Sequence, residues 1–172
     1  MKHERARLFF VLLAVLTDML MAAAAFMLAY LLRLLLPLPR TAQDMGALVD
    51  YLPMLAIHTF SVILVFFFAR LYTLNRASRI DEFYGVVVSS SLGTFLGIAF
   101  ASMTLRDFSV GRDYSRVMVI YAWLLSILMI TLGRLFNSWL RNYLTRKGWG
   151  RRRVIVVGTG DIARMILQKI LW

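Results

Sequence analysis

Few stretches of this 172-residue sequence carry residue types that could do chemistry. Near the C-terminus, Gly158, Gly160 and Ala163 form a G-x-G-x-x-A pattern, with Asp161 inside it. It follows Val154–Val157, an apolar run of the kind that makes a fully buried parallel strand, and precedes one apolar helix face, Ile162, Met165, Ile166 and Ile170. Glycines at that spacing permit a tight turn, and the following helix N-terminus attracts phosphate. Gly158, Gly160, Asp161 and Ala163 are therefore a candidate nucleotide-type loop, or equally a Rossmann-like unit without a ligand. The acidic residue that would meet a ribose hydroxyl about twenty positions further on falls beyond Trp172.

The other candidates are isolated. Asp18 stands alone in a long apolar run, where an ionisable group is expensive and by default suggests function. No basic residue lies at an obviously matching depth in the other apolar runs. The expectation is therefore a structural, inward-facing group, protonated or bonded to a polar neighbour. His58 is expected to be a packed or interfacial histidine. Cysteine is absent, which excludes disulfides, thiolate metal sites and a cysteine nucleophile. Asp81, Glu82 and Asp161 are too scattered to hold Mg²⁺. No metal, cofactor or catalytic residue is expected in this chain.

The elements that position these residues are mostly apolar. Sixty per cent of the residues are hydrophobic, only 17% are charged, and mean hydropathy is +0.72. Four runs are long enough to cross a hydrocarbon core of about 30 Å: residues 8–32, 51–69, 83–105 and 117–135. The first outlasts a signal-peptide core, so cleavage after Ala22–Ala25 is not expected. Up to Arg153, Lys and Arg number thirteen on the side of the termini and five on the other. This bias orients both ends toward the cytoplasm. The net charge of +11 arises largely from these flanks. Nucleic-acid binding is not expected, and membrane lipids are the natural partners.

Two surfaces stand out. In the third run, Gly85, Ser89, Gly93, Gly97 and Ala101 recur every four residues, a small-residue stripe suited to close helix packing. Packing within the bundle is preferred over a homodimer contact. After the fourth run, apolar and polar residues alternate with helical period to Lys147, and Gly148 is a stop signal. Residues 136–150 are expected to form an interfacial helix and linker, with Trp139, Arg141, Tyr143 and Arg146 at the lipid headgroups. The expected class is an all-α integral membrane protein: a four-helix bundle (1–135), an amphipathic helix (136–150), and the first strand and helix of a truncated Rossmann-like unit (151–172).

Five short pieces carry a resemblance: Leu71-Tyr72, Asp81-Glu82-Phe83, Tyr114-Ser115-Arg116, Arg134, and Arg153-Val-Ile-Val-Val-Gly-Thr-Gly160. In order and spacing the chain resembles the N-terminal region of bacterial polyprenyl-phosphate sugar-1-phosphate transferases, which start exopolysaccharide or O-antigen units. Arg70 departs from that pattern, because glycine is common there. The resemblance implies a catalytic domain further on, with an acidic pair and Mg²⁺, acting on undecaprenyl phosphate. It also implies that this chain alone does not catalyse, and that polyprenyl phosphate is a possible partner. Membrane-bound nucleotide-sugar 4,6-dehydratases, which share four spans and then an NAD-dependent domain, are an alternative. So is a non-catalytic four-helix scaffold or accessory subunit.

Overall fold

The protein is seen in a computed structural model that describes residues 2–36, 47–72, 78–104 and 116–147. They form helix α1 (Lys2–Leu35), a 3₁₀ turn (Leu48–Tyr51), α2 (Leu52–Phe68), α3 (Arg79–Thr104) and α4 (Arg116–Arg146). All four helices are long and apolar enough to cross a membrane. The chain fits a multi-pass membrane protein. No strand occurs among the described residues, and the Rossmann-like unit expected at 151–172 lies outside them.

Antiparallel packing is closest within two pairs, α1 with α4 and α2 with α3. Apolar burial gains little between helices surrounded by lipid, so close backbone approach must supply the association. In α3 the small-residue stripe supplies it. Ser89, Ser90, Thr94 and Ala101 are buried, as are Gly93 and Gly97, while Gly85 is half-buried. A Cβ on Gly93 would lie 2.6 Å from the Val62 Cα, and one on Gly97 would lie 3.4 Å from the His58 Cα. The stripe therefore faces α2 of the same chain. Gly133 does similar service for α4, its flank lying against Thr17 and Met21 of α1.

Two elements differ from the sequence expectation. Residues 136–146 are not a separate helix but the unbroken continuation of α4. Their helical periodicity is real; nothing between Leu135 and Phe136 interrupts the backbone ladder, because no Gly or Pro stands there. Likewise α1 begins at Lys2, well ahead of its apolar run. Gly133 meets Thr17 and Met21, and Thr17 reaches Asn137 at 3.4 Å. That register carries the α1–α4 pair beyond the level at which α2 ends and α3 begins.

The end of α2 is closed by its own backbone. Arg70 has φ 53°, in the left-handed region that favours glycine. Its N–H donates to the Phe67 carbonyl at 3.1 Å, and that of Leu71 donates to the Phe66 carbonyl at 3.0 Å. This is the Schellman arrangement, in which the residue after the left-handed one folds back onto the last helical turn. Leu71 is buried accordingly, in one apolar cluster with Phe66, Val62, Ala22, Val86 and Ile130. Tyr72 is thereby turned over the end of the bundle.

Of the two stripe glycines, Gly93 is the less replaceable. Gly93→Ala should destabilise the protein by about 1–3 kcal/mol, because the obstacle is backbone that must move. Gly97→Ala should cost well under half as much. Thermal unfolding in detergent measures both, and equal melting of the two variants would show that α2 and α3 are not in this register.

Candidate functional site

One polar cluster lies where the four-helix part ends. Arg134 of α4 donates from Nη2 to Oδ2 of Asp18 in α1 at 2.7 Å, and from Nη1 to Oε1 of Glu82 in α3 at 3.4 Å. Asp18 is fully buried and the Arg134 side chain is 8% exposed, while that of Glu82 is 39% exposed. The guanidinium carbon also sits over the Phe66 ring at 5.1 Å and the Tyr72 ring at 5.7 Å. One cation is thus held by two carboxylates and two aromatic faces, drawn from all three other helices and the turn after α2. Burial, and then the charge of Asp18, push the Tyr72 phenol above its usual value, so it keeps its proton.

The depth of this cluster follows from helix geometry. Asp18 is seventeen residues before the end of α1 at Leu35. At 1.5 Å per residue that is about 26 Å, close to the hydrocarbon thickness of about 30 Å. Glu82 lies in the first turn of α3, and Phe66 in the last turn of α2. The cluster therefore sits at the level where α2 ends and α3 begins. This corrects two expectations. Asp18 does have a basic partner at its own depth, and Arg134 is a buried element of the bundle as well as part of a basic flank.

A cavity of about 130 Å³ opens beside the cluster, on the step where the α1–α4 pair continues past α2 and α3. Phe10, Val11, Leu13 and Ala14 form its apolar wall, and Arg134, Asn137, Ser138 and Arg141 its polar one, with Tyr72 and Glu82 between. Residues 134, 137, 138 and 141 share one face of α4, which is why a single helix can line the polar side. Asp18 Oδ1, Arg134 Nε and Asn137 Nδ2 are buried in the cluster, behind the cavity wall, without a hydrogen-bond partner.

The remaining expected residues fall elsewhere. Trp139 and Tyr143 are exposed on another face of α4, stacked at 5.9 Å, and Lys147 caps Tyr143 at 4.7 Å. Arg146 is exposed near the helix end. His58 is a packed histidine: its Nε2 lies 3.1 Å from Ser126 Oγ of α4, and its ring sits 5.7 Å from that of Phe26. Gly158, Gly160, Asp161 and Ala163 lie outside the described residues. The cluster itself escaped sequence reasoning. Its signal was present, since Asp18 and Arg134 are each a single charge within apolar sequence, and such charges pair.

Comparison with protein-family models, curated proteins and solved structures finds no match for this chain.

The two carboxylates should differ sharply in importance. Asp18→Asn leaves a buried guanidinium short of its close partner and should cost about 3–5 kcal/mol. Glu82→Gln removes a longer, partly solvated contact and should cost about 1 kcal/mol or less. Comparable losses in detergent melting would mean that Glu82 shares the Arg134 charge equally.

Proposed function

We propose that this chain is the membrane domain of a bacterial polyprenyl-phosphate sugar-1-phosphate transferase, set in the inner membrane with both termini in the cytoplasm. The observation that carries this reading is a convergence. Tyr72, Glu82 and Arg134 belong to three of the pieces that carry the resemblance, and they contact or line one cluster. Arg70 adds a second support. It occupies the position where the family commonly carries glycine, and its φ of 53° is the conformation for which glycine is suited. The thirteen-to-five distribution of Lys and Arg favours the stated orientation, with the Arg134 cluster at the cytoplasmic edge.

On this reading the bundle anchors the enzyme and presents its cytoplasmic face to the reaction. The Mg²⁺ that the family uses does not fit the described carboxylates. Asp18 and Glu82 both point at a guanidinium, which would repel a divalent cation. The metal and the acidic pair belong to the catalytic domain that the resemblance implies. The residues here bind, orient and anchor.

The test uses the natural gene product, captured from detergent-solubilised native membranes with an antibody to residues 40–47. Given undecaprenyl phosphate, a UDP-sugar and Mg²⁺, it should release UMP, while the 172-residue chain alone should release none. UMP from the 172-residue chain, or none from the native product across a panel of UDP-sugars, would contradict the assignment.

A further inference from the structure

The two flanks of the bundle carry apolar surface to different heights. On α4 one exposed row, Leu124, Leu128, Leu132, Phe136, Trp139 and Tyr143, runs past the level of Arg134 without a charged residue. On α1 the matching row of Leu20, Leu16, Leu12 and Leu8, each more than half exposed, runs past Asp18. The other flank stops at the cluster. There α2 ends at Phe68, with exposed Arg70 just beyond, and α3 opens on exposed Arg79 and Asp81.

The opposite end shows no such step. Seventeen residues from the cluster bring α1 to Leu35, its last residue, and α4 to Val117, next to its first. The same count from Phe66 reaches Val49, in the turn that precedes α2. The apolar lengths differ accordingly. The run Leu8–Leu35 has 28 residues, about 42 Å, against 21 residues, about 32 Å, for Leu48–Phe68. The excess of about 10 Å lies at the step.

What covers this excess follows from its context. The rows continue those that face lipid at mid-bundle. The α4 row closes with Trp139 and Tyr143, stacked at 5.9 Å, and the ammonium of Lys147 lies 4.7 Å from the Tyr143 ring. Aromatic rings followed by a basic residue are the pattern of a bilayer interface. The extension of α4 is also two-sided: Asn137, Ser138 and Arg141 line the cavity, and the apolar row lies on another face. A helix between water and hydrocarbon needs that division. It is made by α4 alone, since α1 is apolar toward the cavity as well.

We propose that the bilayer boundary follows the step. Acyl chains cover the α1–α4 flank about 10 Å further than the α2–α3 flank, a mismatch that a bilayer accommodates by local changes in thickness. The cavity is then a water-filled notch sunk beside hydrocarbon. This inference rests on the membrane reading and needs nothing from the transferase assignment.

Single nitroxide labels test it in the 172-residue chain, reconstituted in dioleoylphosphatidylcholine bilayers. The sequence has no cysteine, so each label is unique. The variants are Leu12→Cys and Trp139→Cys on the long flank, Ile80→Cys on the short one, Ser138→Cys in the notch, and Leu124→Cys and Leu31→Cys as references. Collisions with oxygen, which concentrates in hydrocarbon, are compared with collisions with a water-soluble nickel chelate. Ile80 stands about 3 Å beyond the cluster, Trp139 about 8 Å and Leu12 about 9 Å. A flat boundary would therefore immerse Ile80 at least as deeply as the other two. The proposal reverses that order: Leu12 and Trp139 should match Leu124 in their high ratio of oxygen to nickel collisions, and Ile80 and Ser138 should favour nickel. Ile80 as rich in oxygen as Leu12, or Leu12 and Trp139 as open to nickel as Ile80, would overturn it. So would nickel access at Leu31, because a plain tilt of the bundle would lift the far end of α1 into water. Spin–spin broadening at Trp139 with loss of oxygen access would overturn it too, by showing a second copy on the row.

Discussion

A single buried guanidinium organises this bundle. Arg134 cannot stand alone at the edge of a hydrocarbon layer, because the desolvation of an unpaired charge costs several kcal/mol there. Asp18 at 2.7 Å supplies the counter-charge, Glu82 a second one, and the faces of Phe66 and Tyr72 cover what remains. Each partner comes from a different element. Satisfying one charge therefore fixes α1 against α4, sets the first turn of α3, and holds the turn after α2. Because an imperfect arrangement would leave a charge exposed to low dielectric, this contact specifies register more than it adds net stability.

Side-chain hydrogen bonds tie α4 to both α3 and α2. Away from the cluster, Trp123 donates to Ser91 of α3 at 3.0 Å, and Ser126 meets His58 of α2. Such polar ties are modest individually, of order 1 kcal/mol in membranes. Smooth backbone contact does the remainder, with Gly93 against Val62 and Gly133 against Met21. These two kinds of contact divide the work. The glycine faces allow helices to approach, and the charges and hydroxyls say at which height they stop. The step above the Arg134 cluster is a consequence: α1 and α4 continue past the point where α2 and α3 have been fixed, and the cavity lies in the angle.

Much of the architecture was legible in the sequence, because hydrocarbon imposes simple demands. Four apolar runs of sufficient length gave four helices, and Gly93 and Gly97 of the small-residue stripe lie where α3 meets α2. Helix ends were less legible. Apolar runs report immersion in lipid, whereas the backbone ladder continues until something stops it, so α1 and α4 overrun their hydrophobic limits. The turn at Arg70 was hidden because its conformation is unusual for arginine. The Asp18–Arg134 pair was hidden for another reason. Its depth match depends on the antiparallel register of α1 and α4, which the positions of the two apolar runs do not show.

For the bundle to hold this register, Arg134 and Asp18 must act as one unit. A double-mutant cycle with the apolar replacements Asp18→Leu and Arg134→Met, read as unfolding free energy in detergent, measures that directly. Each single variant strands a charge, whereas the double variant strands only the weaker partner Glu82. The double variant should therefore be more stable than either single one, with a coupling energy of about 2–3 kcal/mol. Losses that simply add, leaving the double variant the least stable of the three, would show that the two residues do not form the contact on which this structure is built.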